Sequence, residues 1–397
     1  MSADLIPLNE INEYEWWSYW AEHFKNSYFY TFKSDFYREQ LFNRIGFFSG
    51  KTELLPKPLD PHVSFFIPIV PGYWKIEKQL INAGYTAVSR MDVYNLKGPI
   101  KANGDGIEII KEGGLDKWIS AYVRSFDEDI NLVPHIRDSL KRALDGGRTV
   151  LIARQEQNEY VGVAALYEGK NSAGIYCVGV LPKYRHRKIG MGLVNFASTL
   201  TYKPVFLQAF SSAALGKFYT KIGFNLAYSK EVLDKRPLKR QGTCFTNFYV
   251  ERDTAPGVYN LNQVFGGLDD CNAANSLLPS GDLNSTRVAV ENGRGYMYVL
   301  DEKIHVNSQY LRSADIRYLY LDILHELIHV YQSKKGMNLY DTRFSYFKRP
   351  TEIEAYRFTI SEALKIGMNK AEIIEYLNVE WVTEDEFNEF LSSMNFV

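Results

Sequence analysis

His325 and His329 stand four residues apart in LDILHELIHVYQ (residues 321–332), and Glu326 directly follows the first histidine. Four residues on an α-helix is about 40° of rotation, so both imidazoles leave one face and can share an ion. Zinc held by about three protein ligands keeps a fourth position for water and lowers that water's pKa toward about 7. Glu326 beside such a water is a general base, shuttling the proton to a leaving amine. Leu324, Leu327, Ile328 and Val330 make the helix nearly apolar around the trio, as a buried active-site helix requires. Burying three polar groups together without a ligand would be costly. The string fits H-E-x-x-H. In the longer motif a glycine and a third histidine follow, but Gln332 and Lys335 stand there, and no histidine occurs after His329. A downstream third ligand is therefore a carboxylate. Pro350 suits a first helical position, and the helix it opens offers Glu352 and Glu354. Two residues apart is about 200° of rotation, so only one of them faces the metal.

A second constellation lies upstream in GVLPKYRHRKIGMGLVNFAS, residues 179–198. An apolar strand runs into Pro182, then a basic loop, then Gly190 and Gly192 at the start of an amphipathic helix. Unpaired N–H groups and the positive dipole end there suit an anion, and missing Cβ atoms admit a pyrophosphate closely.

The elements that carry these residues follow from periodicity. From about residue 105 the runs GIEIIKE, LDKWISAYVRSF, HIRDSLKRALDGG, TVLIARQ, YVGVAALYEG, AGIYCVGVLP, KIGMGLVNFASTL, PVFLQAF, SAALGKFYTKIGF, LAYSKEVL and CFTNFYVER read as strand, two helices, three strands, helix, strand, helix, two strands. QEQNEY and EGKNS look like turns of antiparallel hairpins. The first hundred residues echo the end of this region: VSFFIPIV, GYWKIEKQLINAGY and TAVSRMDVYNL parallel PVFLQAF, SSAALGKFYTKIGF and NLAYSKEVL, a half-repeat. After Arg252 the residues 253–286 are rich in Gly, Asn, Asp, Ser and Pro, predicting a linker and loops. RVAVENGRGYMYVLD carries a turn at Asn292-Gly293, EKIHVN is strand-like, a long helix spans about Ser313 to Lys335, and helices follow from Pro350. The expected fold class is multidomain α/β and α+β: an N-terminal α/β region over 1–104, a mixed sheet flanked by helices over 105–252, and a mostly helical region with a small sheet over 253–397.

With 46 basic and 47 acidic residues among 397, the net charge of -1 offers no field to gather nucleic acid or an anionic membrane. The 15% aromatic content, dense at Tyr28 to Phe32, reads as core and interface material because no basic residues interleave it. The opening residues lack a leader pattern and no run of about 18 apolar residues occurs. Cys177, Cys244 and Cys271 are too few and too widely spaced for a disulfide framework or a four-cysteine zinc site. A soluble protein of the reducing cytoplasm is expected.

The stretch RKIGMG resembles the R/Q-x-x-G-x-G/A signature of the GNAT acetyltransferases, and SSAALGKFYTKIGF resembles that family's second motif, over about residues 105–252. The resemblance implies acetyl-CoA as cofactor, held by Val178 and Val180 on the strand and by Arg185, Arg187, Lys188, Ile189, Gly190, Met191 and Gly192. It implies Tyr219 as the acid that protonates the departing sulfur. His186 and Lys188 stand where the family usually has glycine, and Ser212 where it often has asparagine. No carboxylate occupies the usual base position in SAGIYCVGV, which leaves Glu168, at the end of the preceding strand, as a substitute. Over about 310–360 the chain resembles the gluzincin-like zinc peptidases, whose second helix supplies a glutamate ligand. By that spacing Glu352 is the third ligand and Tyr356 its neighbour one turn on, with Glu354 the alternative. EKIHVN resembles those enzymes' substrate-binding edge strand; His305 on it reads first as an exposed strand histidine, with binding of a transition-state oxygen as the alternative. The combined expectation is a bifunctional chain: a zinc peptidase acting on a peptide or protein, and an acetyl-CoA-dependent N-acetyltransferase with an amine acceptor. The alternative is a GNAT-like region that binds acyl-CoA without chemistry and regulates the peptidase.

Overall fold

The computed structural model describes residues 5–51, 63–98, 106–111, 113–213, 215–235, 244–269, 271–278, 280–293 and 295–394. Its dominant feature is an 11-stranded mixed sheet in which two stretches of chain interleave. The first supplies β1 (Glu22–Lys25), β2 (Phe29–Lys33), β3 (Arg44–Phe47), β4 (Ser64–Pro68) and β5 (Thr86–Leu96). The second supplies β6 (Ile107–Ile109), β7 (Thr149–Glu156), β8 (Glu159–Glu168), β9 (Ala173–Val180), β10 (Val205–Phe210) and β11 (Phe224–Asp234). The order is β1-β2-β3-β4-β11-β5-β10-β9-β8-β7-β6, so the 104/105 division read from the sequence falls inside one sheet.

Helix α1 (Leu5–Trp17) and the pair α3 (Leu115–Phe126) and α4 (Val133–Asp145) pack into one buried cluster, with α2 (Trp74–Asn82) further along the sheet. The helices α5 (Ile189–Thr199) and α6 (Gly216–Lys221) pack into a second. Amphipathic spacing drives this layering: Trp118 of α3 is fully buried and donates its Nε1–H to the Ile152 carbonyl at 3.0 Å.

The middle of the sheet has a twofold pattern. Unit β4-α2-β5 and unit β10-α6-β11 exchange strands, giving the local order β4-β11-β5-β10 with every pair antiparallel. Thr86 opposes Asp234 as Leu96 opposes Phe224, and Met91 opposes Phe210 as Lys230 opposes Pro68. Gly84 and Gly223 leave their helices with φ of 84° and 97°, the left-handed exit that glycine takes most easily.

After β11 come β12 (Tyr249–Val250), β13 (Gly257–Asn260), α7 (Leu261–Val264), β14 (Phe265–Gly266), α8 (Asn272–Leu277) and α9 (Ser280–Ser285). The sequence reading carried two strands onward at this end of the main sheet. Instead β12 pairs with β14, because β4 and β5 already flank β11 on both sides. The supposed linker is built structure as well. Its polar residues act as helix caps: Asn260 and Gln263 form a capping box on α7, and the Cys271 sulfur accepts the Ala274 N–H at 3.3 Å. Cys271 is disulfide-bonded, which corrects the expectation of unpaired thiols, while Cys177 is free. The side chain of Cys244 lies outside the described residues.

A second sheet adds β15 (Arg287–Glu291), β16 (Met297–Leu300) and β17 (Lys303–Asn307) in the order β13-β15-β17-β16. Asn292 and Gly293 do not join paired strands, because β17 runs parallel to β15 and separates it from β16. The tight hairpin lies at Asp301 and Glu302, both at positive φ. The edge strand is β16, and β17, expected at the edge, is interior.

Helices α10 (Ser308–Ser313), α11 (Ile316–Lys334), α12 (Pro350–Lys365), α13 (Lys370–Leu377) and α14 (Glu384–Ser393) complete the chain. Asp315 caps α11 by accepting the Arg317 N–H at 2.8 Å. This helix is tied to the main sheet. Glu231 of β11 accepts the Ile316 N–H at 2.8 Å, and fully buried Arg252 bridges Glu231, Glu77 and the Leu311 and Ala314 carbonyls. Burial and the Glu77 charge raise Glu231 well above the ordinary carboxylate range, and the bidentate pair with Glu77 balances the Arg252 charge. Among the described residues no helix is long and apolar enough to cross a membrane.

Candidate metal centre and acyl-transfer pocket

The apolar face of α11 seats the helix against β16, β17 and α12, and this burial carries its polar trio inward. His325, Glu326 and His329 are 5%, 6% and 6% exposed. Glu352 sits in the first turn of α12, where the helix dipole favours a carboxylate. Its oxygens lie 3.2 Å from His325 Nε2 and 3.5 Å from His329 Nε2, and the two imidazole nitrogens are 3.0 Å apart. A tetrahedral zinc with bonds of about 2.0 Å holds its ligands roughly 3.3 Å apart, so the three donors fit one ion.

The donor set is oriented by its neighbours. Gln332 accepts from His329 Nδ1 at 2.7 Å, which orients the ring with Nε2 directed at the centre. The Gln332 amide in turn donates to the Thr351 carbonyl at 3.1 Å and to Glu354 at 2.8 Å. Glu354 is turned to Gln332, while Glu352 meets both histidines. The Tyr356 ring packs edge-on against His325 and its hydroxyl meets that of Tyr346 at 2.9 Å.

Charge is shared unequally within the cluster. Burial pushes His325 below its ordinary value. Burial pushes His329 down too, but hydrogen bonding to Glu352 and the Glu326 charge win and raise it to about 9. Glu352 falls to about 2 because its two histidine partners outweigh burial. Glu326 rises to about 8, mainly through burial, and its Oε2 is buried without a partner. With His325, Asp322, Tyr346 and Tyr296, Glu326 lines a cavity of about 180 Å³ beside the edge strand β16. His305 plays no part in this cleft. It sits on interior β17, stacked on Tyr298 with Nδ1 3.2 Å from Glu291, which leaves the alternative oxygen-binding role without a position in the cleft.

The second site opens where β9 and β10 part. They are paired in parallel only from Ala173 to Ile175, and the β8–β9 register then shifts around Cys177, which adopts φ of 54°. The resulting wedge ends at Val178 and Val180 and faces the first turn of α5, where Gly190, Met191 and Gly192 are half-buried and Ile189 is buried. A Cβ built on Gly190 would come within 3.7 Å of Val180, an ordinary contact, so the loop lies directly against the strand end. His186 and Lys188 take φ of 63° and 61°, keeping the left-handed backbone that glycine would supply. Arg185 is spent on structure, donating to the Val180 carbonyl at 3.2 Å and the Ser125 carbonyl at 3.0 Å. Arg187 is exposed over the Tyr184 ring.

Tyr219, 5% exposed, lines a cavity of about 400 Å³ together with Cys177 and Val178. Burial raises its phenol to about 12, so it carries its proton at neutral pH. Glu168 is not in this cavity. It lies at the opposite end of β8, opposing Ala173 and paired with Lys203 at 2.9 Å, so it cannot be the substitute base. The carboxylates that do line the cavity are Glu39 and Glu128, with Trp17 and Phe42 beside them. Burial and the Glu39 charge raise Glu128. Neither was singled out in the sequence, since no local spacing links them to Tyr219; Gln332, one turn beyond His329, was within reach of helical periodicity.

Residues 146–226 match the family model described as the acetyltransferase (GNAT) domain. A GCN5-related N-acetyltransferase from Kribbella flavida is similar at 12% identity, with 59% of this chain and 96% of that chain covered and a TM-score of 0.41. A functionally unknown conserved protein from Staphylococcus epidermidis is similar at 12%, covering 53% and 91%, TM-score 0.39. A GCN5-related N-acetyltransferase from Sphaerobacter thermophilus is similar at 16%, covering 44% and 60%, TM-score 0.37. No curated protein matches the chain. The wedge, the glycine loop and Tyr219 therefore lie in a GNAT acetyltransferase domain.

Proposed function

We propose that the chain is a bifunctional enzyme: a zinc-dependent hydrolase of peptide bonds in the cleft between α11 and α12, and an acetyl-CoA-dependent N-acetyltransferase in the wedge between β9 and β10. The convergence of His325, His329 and Glu352, all with donor atoms within 4.8 Å of one another, carries the first half of this reading. Zinc bound there supplies Lewis acidity at neutral pH. Around it the chain's own groups divide the work. Gln332 fixes the His329 tautomer. Glu326 lines the cleft beside these donors; next to a bound dication it would be ionised, take a proton from water and return it to the leaving amine. The free edge of β16 can pair with an extended peptide main chain, and Tyr340 already donates to its Val299 carbonyl.

The GNAT domain supports the second half. The glycine loop of α5 would hold the pyrophosphate, Glu128 would receive the amine's proton, and Tyr219 would give one to the departing sulfur. Purified protein should carry stoichiometric zinc and cleave peptides, and Glu326→Gln should keep the metal while losing cleavage. A chain with no zinc after loading, or cleavage indifferent to Glu326→Gln, removes the hydrolase. Acetyl-CoA that binds without turnover on any amine leaves a sensor in place of the transferase.

A further inference from the structure

A middle cavity shares lining residues with each of the two centres. Glu375 and Asn378 of the α13 end line both the metal cleft and a middle cavity of about 210 Å³. Ala209, Phe210 and Leu215 line both that middle cavity and the one holding Tyr219. Helix α13 is held over this run from both sides: Ser211, beside Phe210, meets Glu372 at 3.4 Å, and Arg90 of β5 meets Glu375 at 2.8 Å. Three concavities thus follow one another from Glu326 to Tyr219.

Charge favours the amine at the acceptor end: Glu39 and Glu128 line that cavity, and among the described residues no lysine or arginine does. In the middle, Asp92 and Glu375 are both paired with Arg90, and Lys217 is the basic lining residue. The acceptor end thus attracts an ammonium group and disfavours a carboxylate.

Resting on the two activities proposed above, we propose that the centres work in series: the amine released by amide hydrolysis in the metal cleft moves along this run and is acetylated at the Tyr219 cavity. The chemistry balances. Water adds across the amide, the C–N bond breaks, and the products are a carboxylate and an amine. After losing its proton, that nitrogen attacks the thioester carbonyl of acetyl-CoA, an N–C bond forms, the C–S bond breaks, and the thiol leaves with a proton. The carboxylate half is disfavoured at the acceptor cavity by Glu39 and Glu128, so the amine half is the one that proceeds. Trp17, Phe42, Tyr122 and Phe126 around the acceptor cavity favour an amine bearing an apolar side chain.

Isotope dilution tests the hand-off. Zinc-loaded protein is given a short peptide with an apolar residue after the scissile bond, acetyl-CoA, and about a tenfold excess of the same product amine in isotopically labelled form. A hand-off raises the effective concentration of the unlabelled amine, so most of the early acetylated product should be unlabelled, whereas free mixing starts near none and never exceeds about one-tenth. Both activities present with the label at its bulk ratio overturns the series arrangement alone. Loss of either activity removes the reading beneath it and the hand-off with it. Ala371→Trp fills the middle cavity without touching either centre, and should abolish the bias while hydrolysis and acetylation of added amine each stay within about twofold. Ala371→Leu serves if the larger residue unfolds the chain. A correctly folded plug that preserves the bias overturns the route.

Discussion

The metal cleft and the acyl-transfer wedge are built in opposite ways. Every donor of the cleft comes from α11 and the first turn of α12, within residues 325–352, and their spacing is the period of a helix. The wedge takes Tyr219 from α6, its opening from β9 and β10, and its carboxylates and aromatic wall from Glu39, Glu128, Trp17 and Phe42. One site is encoded along the chain and the other across a sheet. The difference teaches where each can be broken: a single substitution removes one of the cleft's three clustered donors, whereas the wedge depends on strand order set far from it.

The largest expected effect isolates the cleft. Glu326→Gln should lower peptide cleavage by about 10³-fold while leaving zinc content unchanged, since only the proton acceptor is lost. Acetylation of an added amine by the same variant should stay at the wild-type rate, measured by release of free CoA thiol. A parallel loss of both activities would mean the two regions are one centre and would end the contrast.

Stability exposes a second asymmetry. Asp322, on the cleft wall, is raised from 3.8 to about 6 by burial, opposed by hydrogen bonds from Tyr310 and Tyr376. The folded state therefore prefers its neutral form. That contribution is fully present below about pH 4 and is lost as pH rises through about 6. Two pKa units correspond to about 3 kcal/mol, so Asp322→Asn should gain up to that much relative to wild type between pH 4 and pH 8. Denaturant unfolding at the two pH values reads it, and a pH-independent difference would refute the assignment. The wedge carries no such penalty at Tyr219, whose neutral form is favoured by burial at every physiological pH. Tyr219→Phe should slow acetyl transfer by about 10²-fold with acetyl-CoA affinity unchanged by calorimetry. A drop in affinity with normal turnover would make it packing instead.

What could be read in the sequence follows the same division. His325, His329 and the carboxylate of α12 were legible because helix geometry fixes i and i+4, and because Pro350 marks where the next helix begins. The strand order around β11 was not, although the half-repeat hinted at it. Nothing in YFYTF or VSFFIPIV says that β4 and β5 will flank β11 and displace β12. Glu168 was misplaced for the same reason. A strand end is known from the sequence, but which end faces the cofactor depends on the neighbouring strands. Edge and interior were confused between β16 and β17 because a parallel pairing, β15 with β17, skips the strand between them in the chain.

Gln332 offers the finest test of whether the cleft is a purely local device. Its carbonyl accepts the Nδ1–H of His329 while its amide donates to Thr351 and Glu354, so it links the orientation of one ligand to the start of the helix that bears another. Gln332→Ala should weaken zinc binding by about tenfold, the usual cost of losing a ligand's orienting partner. Chelator competition measures this directly. Glu354→Gln keeps a hydrogen-bonding amide beside Gln332 and leaves Glu352 in place, so its effect should be under about threefold. The two variants together separate the roles. If Glu354→Gln abolishes zinc binding while Glu352→Gln does not, then Glu354 is the ligand, and the cleft's spacing rule selects the other face of α12.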